Sequence, residues 1–337
     1  MIESYPYNQQ ENGPNPDINF VPFAKDQGLL VFYNPTNERA TRHAEEIVRS
    51  RGEWPANGPI RTIPTDTEQQ ANVEALEHHS KQGPFHIAVL GGDGTSHQIL
   101  DAVWRKDFKG VTTVSADGYA NDLAHSLHMS HYLRDPIGSL RDGSVGKISA
   151  VEVTITDKYS SELSIPAFGY FSIGVSGLVA KYFNSAEYRN REKPAKGYKL
   201  RREEIQTAMD YFNNAKPFIA YDKVNGTREI IDHHVLIGGR MAKIRWLPYK
   251  RILADVAAVG EIKTNNYKEL LKSMGHMLIG GVTLHDGETK SLKVYSIGDT
   301  PLTMQIDGDT LAIASASKIS YRISSEQPLL VAHTRFA

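Results

Sequence analysis

The chain has 337 residues, 40% of them hydrophobic, and a formal net charge of −1. That is enough apolar material for two cores, and too little basic excess for a surface that tracks nucleic-acid phosphates. There is no cysteine, which excludes disulfides, thiolate nucleophiles and cysteine-based zinc sites. No window reaches the roughly 18 consecutive apolar residues that a bilayer-spanning helix needs. The first residues, MIESYPYNQQENGPNPD, carry neither the basic nor the apolar region of a secretion signal. Residues 1–27 read as a poorly ordered arm. The expected location is the cytoplasm, free or in peripheral contact with the inner face of the membrane.

In chain order, GLLVFYN (28–34) predicts a strand ending at Asn34-Pro35. ERATRHAEEIVRSRG then shows helical spacing through Ala40, Ala44, Ile47 and Val48 until Gly52 stops it. IRTIPT predicts a second strand, and TEQQANVEALEHHSKQG a helix capped by Thr67 and carrying Ala71, Val73, Leu76 and His79. FHIAVL and GVTTVSA predict the third and fourth strands, with SHQILDAVWRKD as the helix between them and NDLAHSLH as the start of another. This alternation indicates an α/β domain with a doubly wound parallel sheet over residues 28–145.

The rhythm changes near Gly146. KISAVEVTITD, ELSIPAFGYFSIGVSG, FIAYDKVNGTREIIDHHVLIGG, EIKTNNY, LKVYSI and LTMQIDGDTLAIASASKISYRIS are alternating or β-branched runs. VNGT at 224–227 suits a hairpin turn, because Asn-Gly tolerates positive φ at both central positions. The expectation is a β-rich, antiparallel, sandwich-like domain over 146–317, broken by one helix around 198–214, with 318–337 returning to the first domain. Asp232-His233-His234 could ligate a metal, but neighbouring side chains on a strand point to opposite faces. His78-His79 reads as helix surface.

Chemistry concentrates at the end of the third strand, in HIAVLGGDGTSHQIL (86–100). Glycines at 91, 92 and 94 let the backbone turn sharply and approach a ligand closely, and the helix that follows offers unpaired amides and a positive dipole end. Asp93 adds a carboxylate suited to a metal, a ribose hydroxyl or a hydroxyl proton, and Thr95 a donor for a phosphate oxygen. A helix cap at a tight turn is the bland alternative. The loop lacks the lysine of a P-loop and the spacing of a dinucleotide fingerprint.

Gly91-Gly92-Asp93-Gly94-Thr95 resembles the GGDGT signature shared by the diacylglycerol kinase, sphingosine kinase, NAD kinase and phosphofructokinase superfamily. Further segments resemble its lipid kinase branch: LVFYNPT at 30–36, SADGYANDLAHSLH at 115–128, FSIGVSGLVAKYFN at 171–184, KGYKLRREEIQTAMDYF and QIDGDTL at 305–311. They occur in family order from residue 28 to 337. The resemblance implies an ATP-dependent lipid kinase whose acceptor is a hydroxyl of diacylglycerol or a sphingoid base, with ATP and Mg²⁺ as cofactors. On it, Asn34, Gly91, Gly92, Asp93, Gly94, Thr95, Asn121 and Asp122 lie at the nucleotide, and Asp307 is the general base.

Asp255 loosely matches an aspartate that supports a structural Mg²⁺ in bacterial members. The chain also departs from the pattern: Ser96-His97-Gln98 stands where x-Asn-Glu is usual, Tyr119 replaces a threonine, Ser176 an aspartate and Asp309 a glutamate. The basic stretch from Arg189 to Arg202 could lie against anionic headgroups. Expected partners are a lipid substrate at a membrane surface and no nucleic acid; a homodimer is one form the chain allows. Two other readings stay open, a catalytically silent nucleotide- or lipid-binding protein of the same fold and a kinase of a soluble substrate such as NAD.

Overall fold

The structure, a computed structural model, describes residues 27–50, 58–118, 121–128, 131–185, 206, 210, 218–222, 228–231, 235–239, 257–262, 282–284, 289–296 and 301–333. Strands β1 (Gly28–Tyr33), β2 (Ile60–Pro64), β3 (Phe85–Gly91) and β4 (Thr112–Ala116) alternate with helices α1 (Glu38–Arg49), α2 (Gln69–Ser80) and α3 (Asp93–Arg105). The four strands are parallel in the order β2-β1-β3-β4. Because helices cover both faces, the central strands read as unbroken apolar runs rather than alternating ones. Leu30, Phe32, Ile87 and Val89 pack with Val73 and Leu76 of α2 and with Ile99, Leu100 and Val103 of α3. Leu29, Val31, Ala88 and Leu90 pack instead with Ala40, Ala44 and Ile47, the apolar stripe of α1.

Two helix starts differ from expectation for local reasons. Helix α2 is capped at Glu68, not Thr67, and without a side-chain bond. Asp66 accepts from the Glu68 amide, and the buried Asn72 bonds both the amide and the carbonyl of Asp66, fixing the entry turn from inside the helix. Helix α3 begins three residues early, at Asp93, so Asp93, Gly94 and Thr95 form its first turn.

His86, read only as part of an apolar strand, is buried, and its Nδ1 accepts the amide of Val111. Burial pushes its imidazole down to about 4 from an ordinary 6.5. Between those values the unfolded chain binds more protons, so stability falls as pH drops from 6.5 towards 4, by up to roughly 3 kcal/mol. Urea unfolding across that window should show the loss, and His86→Gln should remove much of it.

Helices α4 (Asp122–Leu127) and α5 (Pro136–Asp142) follow, and then β5 (Ser144–Thr156), β6 (Glu162–Ala167), β7 (Tyr170–Gly174), α6 (Val175–Asn184), β8 (Phe218–Asp222), β9 (Arg228–Ile231), β10 (Val235–Gly239), β11 (Ala257–Ile262), β12 (Val282–Leu284), β13 (Thr289–Ser296), β14 (Leu302–Ile306), β15 (Asp309–Ile313) and β16 (Ser317–His333). The fold is an α/β unit followed by a β-rich, antiparallel part. Strand β16 is the seam: it pairs along β5 from Lys318 to His333, meets β4 in parallel at Val331, and pairs β13 on its other side. A second sheet, β12-β11-β10-β7-β14-β15, packs on the first. Val151, Val153, Ile319, Tyr321 and Ile323 from one sheet meet Phe171, Ile173, Met304 and Ile306 from the other.

The run ELSIPAFGYFSIG divides at Phe168-Gly169 into strands of different sheets, and its continuation folds as the helix α6. Strands β8 and β9 pair as the expected hairpin, Tyr221 opposite Arg228. The turn between them, Asp232-His233-His234, Asp255, and Arg189 to Arg202 lie outside the described residues. Of the expected helix at 198–214, Gln206 and Asp210 are described, and both are helical.

Candidate active site

In the order β2-β1-β3-β4 the chain leaves β1 in one direction and later returns to β3 and β4 in the other. Ligands of open α/β sheets bind at such a switch point, beyond the carboxyl ends of the strands. Asn34 after β1, the glycine turn after β3, and Asp117, Gly118 and Asn121 after β4 all lie there. The Asn34 side-chain oxygen accepts the Thr36 amide at 3.0 Å, and its Nδ2 donates to Thr95 Oγ1 at 3.3 Å. One asparagine thereby ties the first turn to the glycine loop.

Gly92 is the N-cap of α3 and, having no side chain, leaves the first-turn amides without a side-chain cap. A Cβ on Gly91 would stand 2.6 Å from that of Thr95, and one on Gly118 would stand 2.1 Å from the Cα of Gly92. The two turns are thus in direct backbone contact. Asn121, in the left-handed region at φ 56°, bonds both the amide and the carbonyl of Gly118, so its side chain closes the turn. Asp93 Oδ1 accepts the Leu123 amide at 3.2 Å, capping α4 across the site. Asp122 opens α4.

Asp117, not singled out in the sequence, is buried and bonded through Oδ2 to Ser115 and, at 2.9 Å, to His43 Nδ1. Burial opposes its charge, yet the bonds from His43 and Ser115 and the charges of His43 and Arg134 hold its carboxyl below the usual value. This pair fastens α1 to the end of β4.

The second sheet contributes the turn between β14 and β15. Asp307, 5% exposed, sits at φ 46° and Gly308 at φ 99°, both in the left-handed region. A Cβ on Gly308 would stand 3.1 Å from Asp93 Cβ and from the Gly94 amide nitrogen, so the turn packs directly on the glycine loop. Asp309 is half-buried beside it, with Oδ1 2.8 Å from where a Gly94 Cβ would be. The carboxylate of Asp307 receives the amides of Phe168 at 2.6 Å, Gly169 at 2.8 Å and Tyr170 at 2.7 Å. These are the amides of the corner at which the chain passes from one sheet to the other.

The fourth partner of Asp307 is His97 Nδ1, at 3.2 Å from Oδ2. A carboxylate offers about four acceptor positions, so Asp307 can take a substrate proton only if one of these donors lets go. Burial lowers the pKa of His97, but the bond and charge of Asp307, with the charges of Asp309 and Asp101, outweigh it and hold the imidazole above its ordinary value. Asp93, Gly94, His97, Asp307 and Asp309 therefore form one cluster joining the two sheets.

Among the described residues no three histidine, aspartate or glutamate side chains gather as a metal site. A hollow of about 320 Å³ beside α1, lined by Tyr33, Ala44, Val48 and Arg49 among others, shares no residue with the glycine loop.

Residues 28–153 match the diacylglycerol kinase catalytic domain. The similarity to that domain covers this segment of the chain. No curated protein matches the chain. Among solved structures, a diacylglycerol kinase from Bacillus anthracis str. Sterne shares the fold at 12% identity, with a TM-score of 0.58, covering 92% of this chain and 98% of its own. A candidate diacylglycerol kinase from the same organism covers the same shares at 12% identity and a TM-score of 0.59. At such identities the likeness is one of fold, and it covers 92% of this chain. No helix among its described residues is long and apolar enough to cross a membrane.

Proposed function

We propose that the protein is an ATP-dependent lipid kinase that transfers the γ-phosphoryl group to a hydroxyl of a lipid such as diacylglycerol or a sphingoid base. The observation that carries this reading is the contact of the Asp307-Gly308-Asp309 turn with the glycine loop that ends β3. It joins a phosphate-type helix start to a carboxylate-bearing turn of a separate sheet, one for the donor and one for the acceptor.

In this reading the triphosphate lies over Gly91, Gly92, Gly94 and Thr95, near Asn34, Asn121 and Asp122. The acceptor oxygen bonds to the γ-phosphorus as the bond to the β–γ bridging oxygen breaks. ADP leaves, and the hydroxyl proton passes to Asp309, the half-buried carboxylate beside Gly94. Asp307, its acceptor positions filled, organises the turn.

With a triphosphate bound, the carboxylates of Asp93 and Asp309 beside the glycine loop would call for a cation. Magnesium commonly enters with the nucleotide, on its phosphates and one or two carboxylates, and Asp93 would be the carboxylate that holds it. Bound there, the ion would neutralise charge on the phosphates. The lipid acceptor implies work at a membrane surface from the cytoplasmic side. The match of residues 28–153 to a lipid kinase domain favours a lipid over NAD as acceptor. The full occupation of Asp307 is what a silent, ligand-binding protein of this fold would also show.

Incubation with ATP, Mg²⁺ and a total lipid extract, read by mass spectrometry, tests the reading. It predicts a lipid gaining one phosphate. Gain of phosphate only by NAD or a sugar added in parallel moves the acceptor to the soluble class, and no gain anywhere, with ATP bound, leaves the silent protein.

A further inference from the structure

We propose that His97 is a positioning residue: bonded to Asp307, it clamps the β14–β15 turn to helix α3 and so holds Asp309 against Gly94 of the glycine loop. The inference rests on the kinase reading for its effect on turnover, and on geometry alone for the clamp. His97 is 6% exposed and Asp307 5%, and 210 positions of sequence separate them. His97 lies one helical turn after Asp93, and side chains on a helix lean towards its N-terminus, which aims the ring at the loop. Asp307 holds the sheet-crossing corner through three amides, and its remaining acceptor position goes to His97. His97 thereby bonds the turn and the corner to the helix that carries the glycine loop.

The surroundings favour a charged ring. The β14–β15 turn presents Asp307 and Asp309, and α3 itself presents Asp101. Asp101 is shared with Arg105 at 2.8 Å and with Gln69 of α2 at 2.9 Å. From the corner between β6 and β7 the neutral ring of Phe168 lies 6.2 Å away. With the folded pKa above the ordinary 6.5, the charge-assisted bond is fully present below 6.5. It weakens to a neutral bond as pH rises through the raised value.

The test measures turnover on diacylglycerol in mixed micelles with radiolabelled ATP, from pH 6 to 9, for the wild type, His97→Ala and His97→Asn. Asparagine places an amide N–H near the Nδ1 position and does not titrate. His97→Ala should lose roughly 10²-fold in kcat, the scale of an ångström-level misplacement, with the KM for ATP little changed. His97→Asn should recover most of that loss and flatten the alkaline fall seen in the wild type. Wild-type turnover in His97→Ala, or the same alkaline fall in all three proteins, overturns the proposal.

Independently of any activity, the carbon-bound ring protons of His97, assigned by their loss in His97→Asn, should titrate above 6.5 in the wild type. A midpoint below 6.5 overturns the clamp even in an active kinase. A raised midpoint in a protein that phosphorylates nothing leaves the clamp standing and removes the kinase reading.

Discussion

Asp307→Asn is expected to destabilise the protein by about 3 kcal/mol or more, read as a lower urea midpoint with an unchanged slope. The aspartate accepts from Phe168, Gly169, Tyr170 and His97 in a buried place. An asparagine keeps one oxygen and turns the other position into a donor, facing an amide or the imidazole. Each buried donor left unmet costs about 1–3 kcal/mol, and more where the donor is charged. Asp309→Asn provides the contrast. Asp309 is only half-buried, so its loss should stay within about 1 kcal/mol. Turnover should nonetheless fall by roughly 10²–10⁴-fold if it accepts the hydroxyl proton. Equal stability of Asp307→Asn and wild type would show that the corner does not depend on this carboxylate.

Asp93→Asn is expected to lower turnover by roughly 10³-fold while leaving stability nearly unchanged. Asparagine retains an oxygen for the Leu123 amide, so the cap on α4 survives. What it loses is the negative charge that, in the proposed reading, would hold the cation beside the glycine loop. Charge stabilisation of several kcal/mol at the transferring phosphoryl group, at a factor of ten per 1.36 kcal/mol, gives a change of that size. A fall in both stability and turnover would instead mark Asp93 as a cap and nothing more. The two substitutions thus separate along different axes, Asp307 in folding and Asp93 in chemistry.

Local signals made the first half of the fold readable. Ala40, Ala44 and Ile47 lie at helical spacing under a strong cap at Asn37, and β1 and β3 are unbroken apolar runs because both faces are covered. The glycine turn is equally plain, and close contacts with the Thr95 side chain and with the neighbouring turn leave its glycines no room for a side chain.

The second half was less legible where β-branched or apolar composition did not distinguish strand from helix. Val175-Ser176-Gly177 reads as the end of a β run, yet these residues begin α6. A run such as ELSIPAFGYFSIG also carries no mark of the change of sheet at Phe168-Gly169, because the partner that fixes it, Asp307, lies far along the chain. His97 was visible only as a departure beside the glycine loop; its meaning comes from a contact across 210 positions. Asp117 and His43 were missed for the same reason, being 74 positions apart.

The central claim is transfer of a phosphoryl group from ATP to a lipid hydroxyl at the junction of the two sheets. Its most direct test follows label from γ-labelled ATP in the presence of Mg²⁺ and micelles of diacylglycerol, monoacylglycerol or a sphingoid base, for the wild type and Asp93→Asn. The account predicts label in the organic phase as a phosphorylated lipid with the wild type, and a loss of roughly 10³-fold with the variant. Label that stays in ATP and water with every acceptor, or an equal yield from both proteins, would contradict it.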